Sequence, residues 1–260
     1  MIGRVGALIY GLASYLVFFL SFVYAVGFIG GYWVPKSIDT GPEGPLAESM
    51  LIDVLLLSLF AIQHSVMARP GFKRWWTTIV PASCERSTYV LLSSLILLLL
   101  FWQWRPITAT VWQTQGWPAA VLSATYWIGW LVAFSSTYMI DHFDLFGLRQ
   151  VFAALRGTAS GAPKFRTPLL YRLVRHPLMT GFLLVFWATP HMTVGHLLFA
   201  LLNTAYILVG VALEERDLVT QFGESYERYR RRVPMLLPRV LGGGSRPADD
   251  SIASPTHRGE

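Results

Sequence analysis

Four uninterrupted apolar segments constrain this chain more than any other feature, at about 6–30, 48–67, 87–104 and 119–140. Each is close to the roughly 20 residues that a helix needs to cross the hydrocarbon core of a bilayer. Inside a membrane the backbone must satisfy its own hydrogen bonds, so continuous apolar segments fold as helices. Membrane β-barrels instead show alternating segments of about ten residues. The pattern therefore predicts an all-α integral membrane protein.

The composition supports this class and excludes several others. Charged residues make up 14% of the chain, whereas soluble domains carry about 25%. The single cysteine, Cys84, excludes a disulfide framework and a cysteine-rich metal site. The net charge of +6 has no accompanying nucleic-acid-binding motif, so we expect no nucleic-acid partner and attribute the charge to membrane-flanking loops.

The distribution of basic residues predicts the orientation in the membrane. Lys and Arg are concentrated in 68–86, in 141–177 and in the C-terminal region, whereas 31–47 and 105–118 hold few. Cytoplasmic loops of membrane proteins are enriched in basic residues. The three basic segments are therefore expected on the cytoplasmic side, and both termini with them.

A fifth apolar region, 178–213, has strongly basic flanks on both sides, so both of its ends are expected at the cytoplasmic face. As one helix its residues would extend about 54 Å, well beyond a hydrocarbon core of about 30 Å. Pro190 lies near the middle and breaks a helix. We predict a helical hairpin, outward over about 178–189 and back over about 193–213, which either spans twice or is re-entrant. The total is five to six membrane segments.

This topology brings several ionisable or polar side chains to the cytoplasmic ends of the apolar segments. Such residues in membrane segments are expensive to bury and mark functional sites by default. Each also has a structural alternative, such as an interfacial histidine, a helix-end residue or a basic anchor. His191 and His196 are expected on the opposite side, and Asp53 is expected to have a buried polar partner. The candidates are Tyr10, His64, Asp141, His142, Arg175, His176, Pro177, Glu214 and Glu215.

No spacing typical of a metal site links these residues, so we expect no metal. A neutral histidine beside a carboxylate is suited to accept a proton. His64, His142 and Asp141 are therefore the candidate catalytic residues, with Tyr10 as a possible hydrogen-bonding partner.

The order of motifs near the C-terminus resembles a known superfamily. Arg175-His176-Pro177, a hairpin, Glu214-Glu215 and then Phe222-Gly223 with Tyr226 and Tyr229 are similar to the isoprenylcysteine carboxyl methyltransferases and phospholipid methyltransferases. The resemblance covers about 168–238 and implies a membrane-embedded enzyme that uses S-adenosylmethionine. It also implies the cofactor-binding residues, which are Tyr171, Arg175, His176, Pro177, Glu214 and Glu215.

Two further motifs narrow the resemblance. The run 63–69, Gln-His-Ser-Val-Met-Ala-Arg, and the run 143–150, Phe-Asp-Leu-Phe-Gly-Leu-Arg-Gln, are similar to the bacterial methanethiol S-methyltransferases and in part to NnrU-like proteins. The resemblance implies methylation of a small thiol, methanethiol, to dimethyl sulfide. It also implies contact with membrane lipid, and an active site at the cytoplasmic face of the bacterial inner membrane.

Two alternatives stay open at this point. One is a methyltransferase of the same plan that acts on a lipid amine or a prenylated carboxylate, and the other is a non-catalytic membrane protein of the NnrU kind. In each case we expect 1–240 to form a single transmembrane domain, the methyltransferase domain if the chain is an enzyme, with 168–238 as its cofactor-binding region. The Gly/Pro/Ser-rich tail, 241–260, is expected to be disordered.

Overall fold

The computed structural model describes residues 2–158 and 167–238, and these residues are mostly helical. A short 3-10 turn, Leu169–Arg172, precedes α8. In chain order the elements are α1 (Ile2–Gly30), α2 (Leu46–Ala68), α3 (Pro70–Trp76), α4 (Ala82–Gln103), β1 (Thr110–Gln113), α5 (Trp117–Ile140), α6 (His142–Leu145), α7 (Leu148–Arg156), α8 (Pro177–Trp187), β2 (His191–Thr193), α9 (Val194–Phe222) and α10 (Glu224–Arg232).

Five of the described helices, α1, α2, α4, α5 and α9, are long and apolar enough to cross a membrane. The chain is thus an all-α, multi-pass membrane protein, as the sequence predicts. Proline sets several of the helix starts. Pro45 and Pro81 precede α2 and α4, and a proline lies in the first turn of α5, where the missing amide hydrogen removes no helical bond.

The fifth apolar region forms the predicted hairpin, with α8 as its first arm and α9 as its second. α8 has 11 residues and is therefore only about 16 Å long. It packs tightly on α5, because a Cβ on Gly181 would lie 2.6 Å from the carbonyl oxygen of Gly129 and from the backbone nitrogen of Ala133. A helix too short to span is tolerated at membrane depth when protein covers it in this way.

At one end of the bundle, the loops that connect the helices are joined to one another by hydrogen bonds. β1 and β2 form an antiparallel pair that joins the α4–α5 and α8–α9 connections, a feature that an all-α expectation does not contain. The loop 31–47 joins them through Asp39, which accepts a 2.5 Å hydrogen bond from Thr193. His191 and His196 lie at this end, as predicted. The ladder satisfies backbone groups that the loops would otherwise leave unpaired.

Asp53 of α2 is fully buried near this end. Its Oδ1 accepts a 2.9 Å hydrogen bond from the backbone nitrogen of Arg105. The expected buried polar partner is therefore a main-chain amide, which no side-chain pattern in the sequence could reveal.

The opposite end of the bundle collects the basic connections. Arg69 after α2 pairs with Asp217 of α9 at 3.1 Å, and Gly11 of α1 packs against Val151 of α7. The start of α1 and the chain after α9 therefore lie at the same end. That this end faces the cytoplasm stays a prediction, and the tail 241–260 lies outside the described residues.

Candidate functional site

A buried charged cluster joins the start of α8 to the last third of α9. Glu215 Oε1 accepts a hydrogen bond from Arg175 Nε at 2.7 Å and lies 3.2 Å from His176 Nε2. The other ring nitrogen of His176 lies 3.5 Å from Glu214 Oε2. The Arg175 and Glu215 side chains are 10% and 11% exposed. The hairpin therefore brings the His-Pro and Glu-Glu motifs together, as their spacing requires.

The end of α10 and the chain that follows it bind this cluster through backbone carbonyl groups. Arg175 Nη1 donates to the carbonyl oxygens of Arg230 and Val233, at 3.0 and 2.6 Å. The backbone nitrogens of Arg175 and His176 donate to Pro234 and Met235. The Arg175 side chain is therefore bonded to Glu215, to the end of α10 and to the chain after α10. Main-chain acceptors leave no signature in the sequence, so this contribution of the C-terminal segment could not be foreseen.

Three tyrosines surround the charged cluster. The Tyr229 hydroxyl donates to the carbonyl oxygen of Tyr171 at 2.5 Å, and Tyr226 is 2% exposed. Burial raises the pKa of Tyr229 to about 12, against the opposing effect of Arg175. Burial also raises the pKa of Tyr171 and of Tyr226. All three hydroxyls therefore stay protonated at neutral pH.

The charge balance of the cluster suits a cationic ligand. Two carboxylates, Glu214 and Glu215, flank His176, and the guanidinium of Arg175 pairs with Glu215. Glu215 is already occupied by Arg175, whereas the Glu214 side chain is 51% exposed. The Glu214 carboxylate is therefore the one of the two that is open to a cationic ligand. A ligand that carries both an amino group and a sulfonium, such as S-adenosylmethionine, fits this donor set. Pro177 begins α8 directly beside it.

His142 lies in a second network, formed with α1 and α5. Its Nε2 is 2.8 Å from the Tyr15 hydroxyl, and its Nδ1 is 2.8 Å from Thr137 Oγ1. Tyr138 stacks on the ring at 4.1 Å. Thr137 donates its own proton to the carbonyl of Phe134, so it accepts from Nδ1–H and Nε2 accepts from Tyr15. His142 is thus locked as a neutral ring.

Asp141 does not face His142 as a catalytic partner would. One carboxylate oxygen accepts from the backbone nitrogen of Asp144 at 3.1 Å and so caps α6, and the other pairs with Arg149. The sequence placed Asp141 at an unfavourable helix C-terminus. The structure shows that it also begins the next helix, where a carboxylate is favoured.

The burial of His142 predicts a pH effect on stability. Burial lowers the pKa of His142, so the unfolded chain binds a proton more readily, near the ordinary histidine pKa of about 6.5. Stability is therefore fully present above that pH and is lost as the pH falls below it. We expect the melting temperature of the wild type to fall more steeply between pH 8 and pH 5.5 than that of His142→Asn. Parallel slopes in a thermal-shift series would contradict this.

His64 lies in a third network, between α2 and α4. Its Nε2 is 2.8 Å from the Tyr89 hydroxyl and its Nδ1 is 3.4 Å from Ser93 Oγ. Ser93 donates its proton to Gln63 Oε1, so Nδ1 carries the hydrogen and Nε2 accepts from Tyr89. The ring also stacks on Phe60 at 5.2 Å. This donor order repeats that of His142, a similarity visible only in the fold.

The candidate residues thus lie at one end of the bundle but in separate networks. Tyr10 bonds to Thr88 at 3.0 Å rather than to a histidine. Tyr171 bonds to the side chain of Ser136 and lies near Glu214, which links the charged cluster to the helix that carries Thr137. Among residues 2–158 and 167–238, no three His, Cys, Asp or Glu side chains are grouped so as to hold a metal ion.

Helix α9 separates the His64 network from the buried carboxylate. Tyr206 points toward α2, where its hydroxyl receives a 3.3 Å hydrogen bond from Ser65. Glu215 is nine residues further along, which at about 100° per residue is on the opposite face. Glu214 is eight residues from Tyr206 and only about 80° away from it. Of the two carboxylates, Glu214 is therefore the one on the side of α2.

Comparison with known proteins gives consistent relationships. The profile of the NnrU protein family matches residues 52–241. Methanethiol S-methyltransferase 2 of Bradyrhizobium diazoefficiens is 65% identical over 241 residues, which are 93% of each chain. Methanethiol S-methyltransferase of Mycobacterium tuberculosis is 54% identical over 89% of this chain and 95% of its own. Nurim of Mus musculus is 32% identical over 66% of this chain and 69% of its own. No solved structure matches.

Proposed function

The chain belongs to the NnrU protein family, and we propose that within this family it is a thiol S-methyltransferase that converts methanethiol to dimethyl sulfide. Similarity to methanethiol S-methyltransferases along nearly the whole chain carries the proposal. The buried cluster around Glu215 supports it, because ionisable side chains buried in a membrane protein mark functional sites by default.

The charged cluster is the proposed site of the methyl donor, S-adenosylmethionine. Glu214 is available for its amino group or sulfonium, and Tyr171 supplies a protonated hydroxyl nearby. Arg175 and His176 hold Glu215 in place and, with Pro177, shape the start of α8. When bound, the methyl donor would supply an electrophilic methyl carbon, to which the thiolate sulfur bonds in line as the bond to the sulfonium breaks and S-adenosylhomocysteine leaves. This displacement requires the thiolate, the methyl carbon and the sulfonium to be held in line and water to be excluded.

A thiol reacts as its thiolate, so a group of the protein must accept its proton. We assign this to the Tyr89–His64 pair. The Tyr89 oxygen is suited to take up the thiol proton while its own proton moves to His64 Nε2, and His64 Nδ1 keeps its proton, which it donates to Ser93. His142 has the same donor order, but the Tyr15–His142 pair joins α1 to α6, whereas His64 belongs to α2, the helix that packs on α9.

The basic loops and the cytosolic origin of the methyl donor support a site at the cytoplasmic face of the membrane. S-adenosylmethionine is made in the cytosol, and the charged cluster lies at the end of the bundle with the basic connections. We propose that this end faces the cytoplasm and that the protein resides in the inner membrane, with lipid around its five long helices.

An acceptor comparison tests the proposed function against its rivals. Purified protein is given S-adenosylmethionine with methanethiol, with a prenylcysteine or with phosphatidylethanolamine, and S-adenosylhomocysteine is measured. We expect turnover with methanethiol alone. Turnover with either lipid acceptor instead would identify the lipid-directed rival. The absence of turnover, together with no donor binding by calorimetry, would favour a non-catalytic protein.

A further inference from the structure

A small groove opens between α2 and α9, on the side of α9 that carries Tyr206. Its volume is about 110 Å³. Its walls are mostly apolar, with a hydroxyl from each helix and one amide. The lining residues are Leu57, Ser58, Phe60, Ala61, Leu202, Asn203 and Tyr206.

The volume of the groove limits what it can hold. A cavity of about 150 Å³ in a protein interior binds benzene, and one water molecule occupies about 30 Å³ of liquid. A molecule with a few heavy atoms therefore fits, whereas a prenyl or acyl chain does not. A small neutral thiol is apolar enough to enter from lipid, and its weak S–H donor suits a wall that carries hydroxyl and amide oxygens.

Beyond the groove, one row of residues on α9 leads toward the charged cluster. Tyr206, Gly210 and Glu214 are four residues apart, so they stand in line on one face of the helix. Gly210 leaves this row open, because a Cβ added there would have no atom within 4 Å. Glycine inside a helix costs stability relative to alanine, and no packing contact at Gly210 explains its presence.

The row is framed by two contacts that fix α2 beside α9. Ser65 bonds to Tyr206 at the groove end, and Arg69 pairs with Asp217 beyond Glu214. Gly210 lies between these two contacts, and the open space beside it is between the groove and Glu214. Phe60 belongs both to the groove wall and to the stack on His64, so the same route passes the proposed proton acceptor.

We propose that the groove binds the small thiol and that the Gly210 row is its passage from lipid depth to Glu214 and the bound methyl donor. This inference rests on the proposed function and assigns its substrate site. It explains how one fold separates a cytoplasmic donor site from an acceptor that partitions into the membrane. It also predicts that the space beside Gly210 limits the size of the thiol that the enzyme accepts.

Filling the row tests the passage. We expect Gly210→Leu to raise the KM for methanethiol at least tenfold while the Kd for S-adenosylmethionine stays within twofold of the wild type. Ala212→Leu is the matched control, since Ala212 is exposed on another side of the same turn, and its KM should not change. Equal KM values for the two leucine variants would overturn the proposal.

A milder variant covers the case in which Gly210→Leu does not fold. Alanine is a better helix former than glycine, so Gly210→Ala should fold at least as well as the wild type. We expect its KM to rise about threefold for methanethiol and more for ethanethiol and propanethiol. The same ratio for all three thiols would contradict a size-limited passage. If the wild type itself forms no dimethyl sulfide, the proposed function fails, which is a different result from an active enzyme insensitive to Gly210.

Discussion

Glu215→Ala is expected to raise the Kd for S-adenosylmethionine at least hundredfold and to abolish turnover. Glu215 is the common acceptor for Arg175 and His176. Its removal leaves a buried guanidinium without its counter-ion, and breaking a buried ion pair on one side typically costs about 3–5 kcal/mol. The unpaired guanidinium is expected to disturb the cluster that holds the donor, and a hundredfold change in Kd corresponds to about 2.7 kcal/mol. Isothermal titration calorimetry measures the change directly.

Glu227→Ala is the matched control for the removal of a carboxylate near the same end. Glu227 of α10 makes an exposed contact of 3.9 Å with Arg231, and exposed pairs of this kind contribute little. Its donor affinity should equal that of the wild type. A Glu215→Ala protein that is folded by thermal shift and binds the donor within threefold of the wild type would contradict the role of the charged cluster.

His64→Ala is expected to lower kcat/KM for methanethiol by about a hundredfold or more at neutral pH, with donor affinity unchanged. Positioned proton transfer typically contributes 10²–10⁴ to a rate. The deficit should shrink as the pH rises, because the thiol then ionises without help. Tyr89→Phe should follow the same pattern, since it removes the hydroxyl that bonds to Nε2.

The matched comparison for His64 is His142, which has the same donor order within another pair of helices. We expect His142→Ala to lower the melting temperature while it retains most of kcat/KM. If His142→Ala loses more activity than His64→Ala, and its loss is the one relieved at high pH, proton acceptance belongs to the Tyr15–His142 pair. The pH–rate profiles of the two variants distinguish these cases.

The membrane helices and the hairpin could be read from the sequence because each depends on a local property. Apolar length predicts α1, α2, α4 and α5, and the basic flanks of 178–213 with Pro190 require the chain to turn back. The meeting of His176 with Glu215 then follows from topology alone. The ladder between β1 and β2 could not be predicted, because it depends on which two loops become neighbours.

The sequence predicted which residues lie at the candidate site better than it predicted their hydrogen-bond partners. The sequence grouped Tyr10, His64 and His142 at one end, yet each bonds to a different hydroxyl residue. Thr88, Tyr89 and Tyr15 look like ordinary helix residues until the helices pack. The open side of Gly210 likewise depends on the distance between α2 and α9. The rotation of each helix about its own axis decides which side chains pair. Four nearly uniform apolar segments do not indicate that rotation.

The most direct test of the central claim is the formation of dimethyl sulfide by the purified protein. Protein in lipid nanodiscs is incubated with S-adenosylmethionine and methanethiol, and the headspace is sampled by gas chromatography while S-adenosylhomocysteine is measured in solution. We expect equal amounts of both products from the wild type and neither from Glu215→Ala. Dimethyl sulfide no higher than in the Glu215→Ala sample, from wild-type protein that binds the donor, would contradict it.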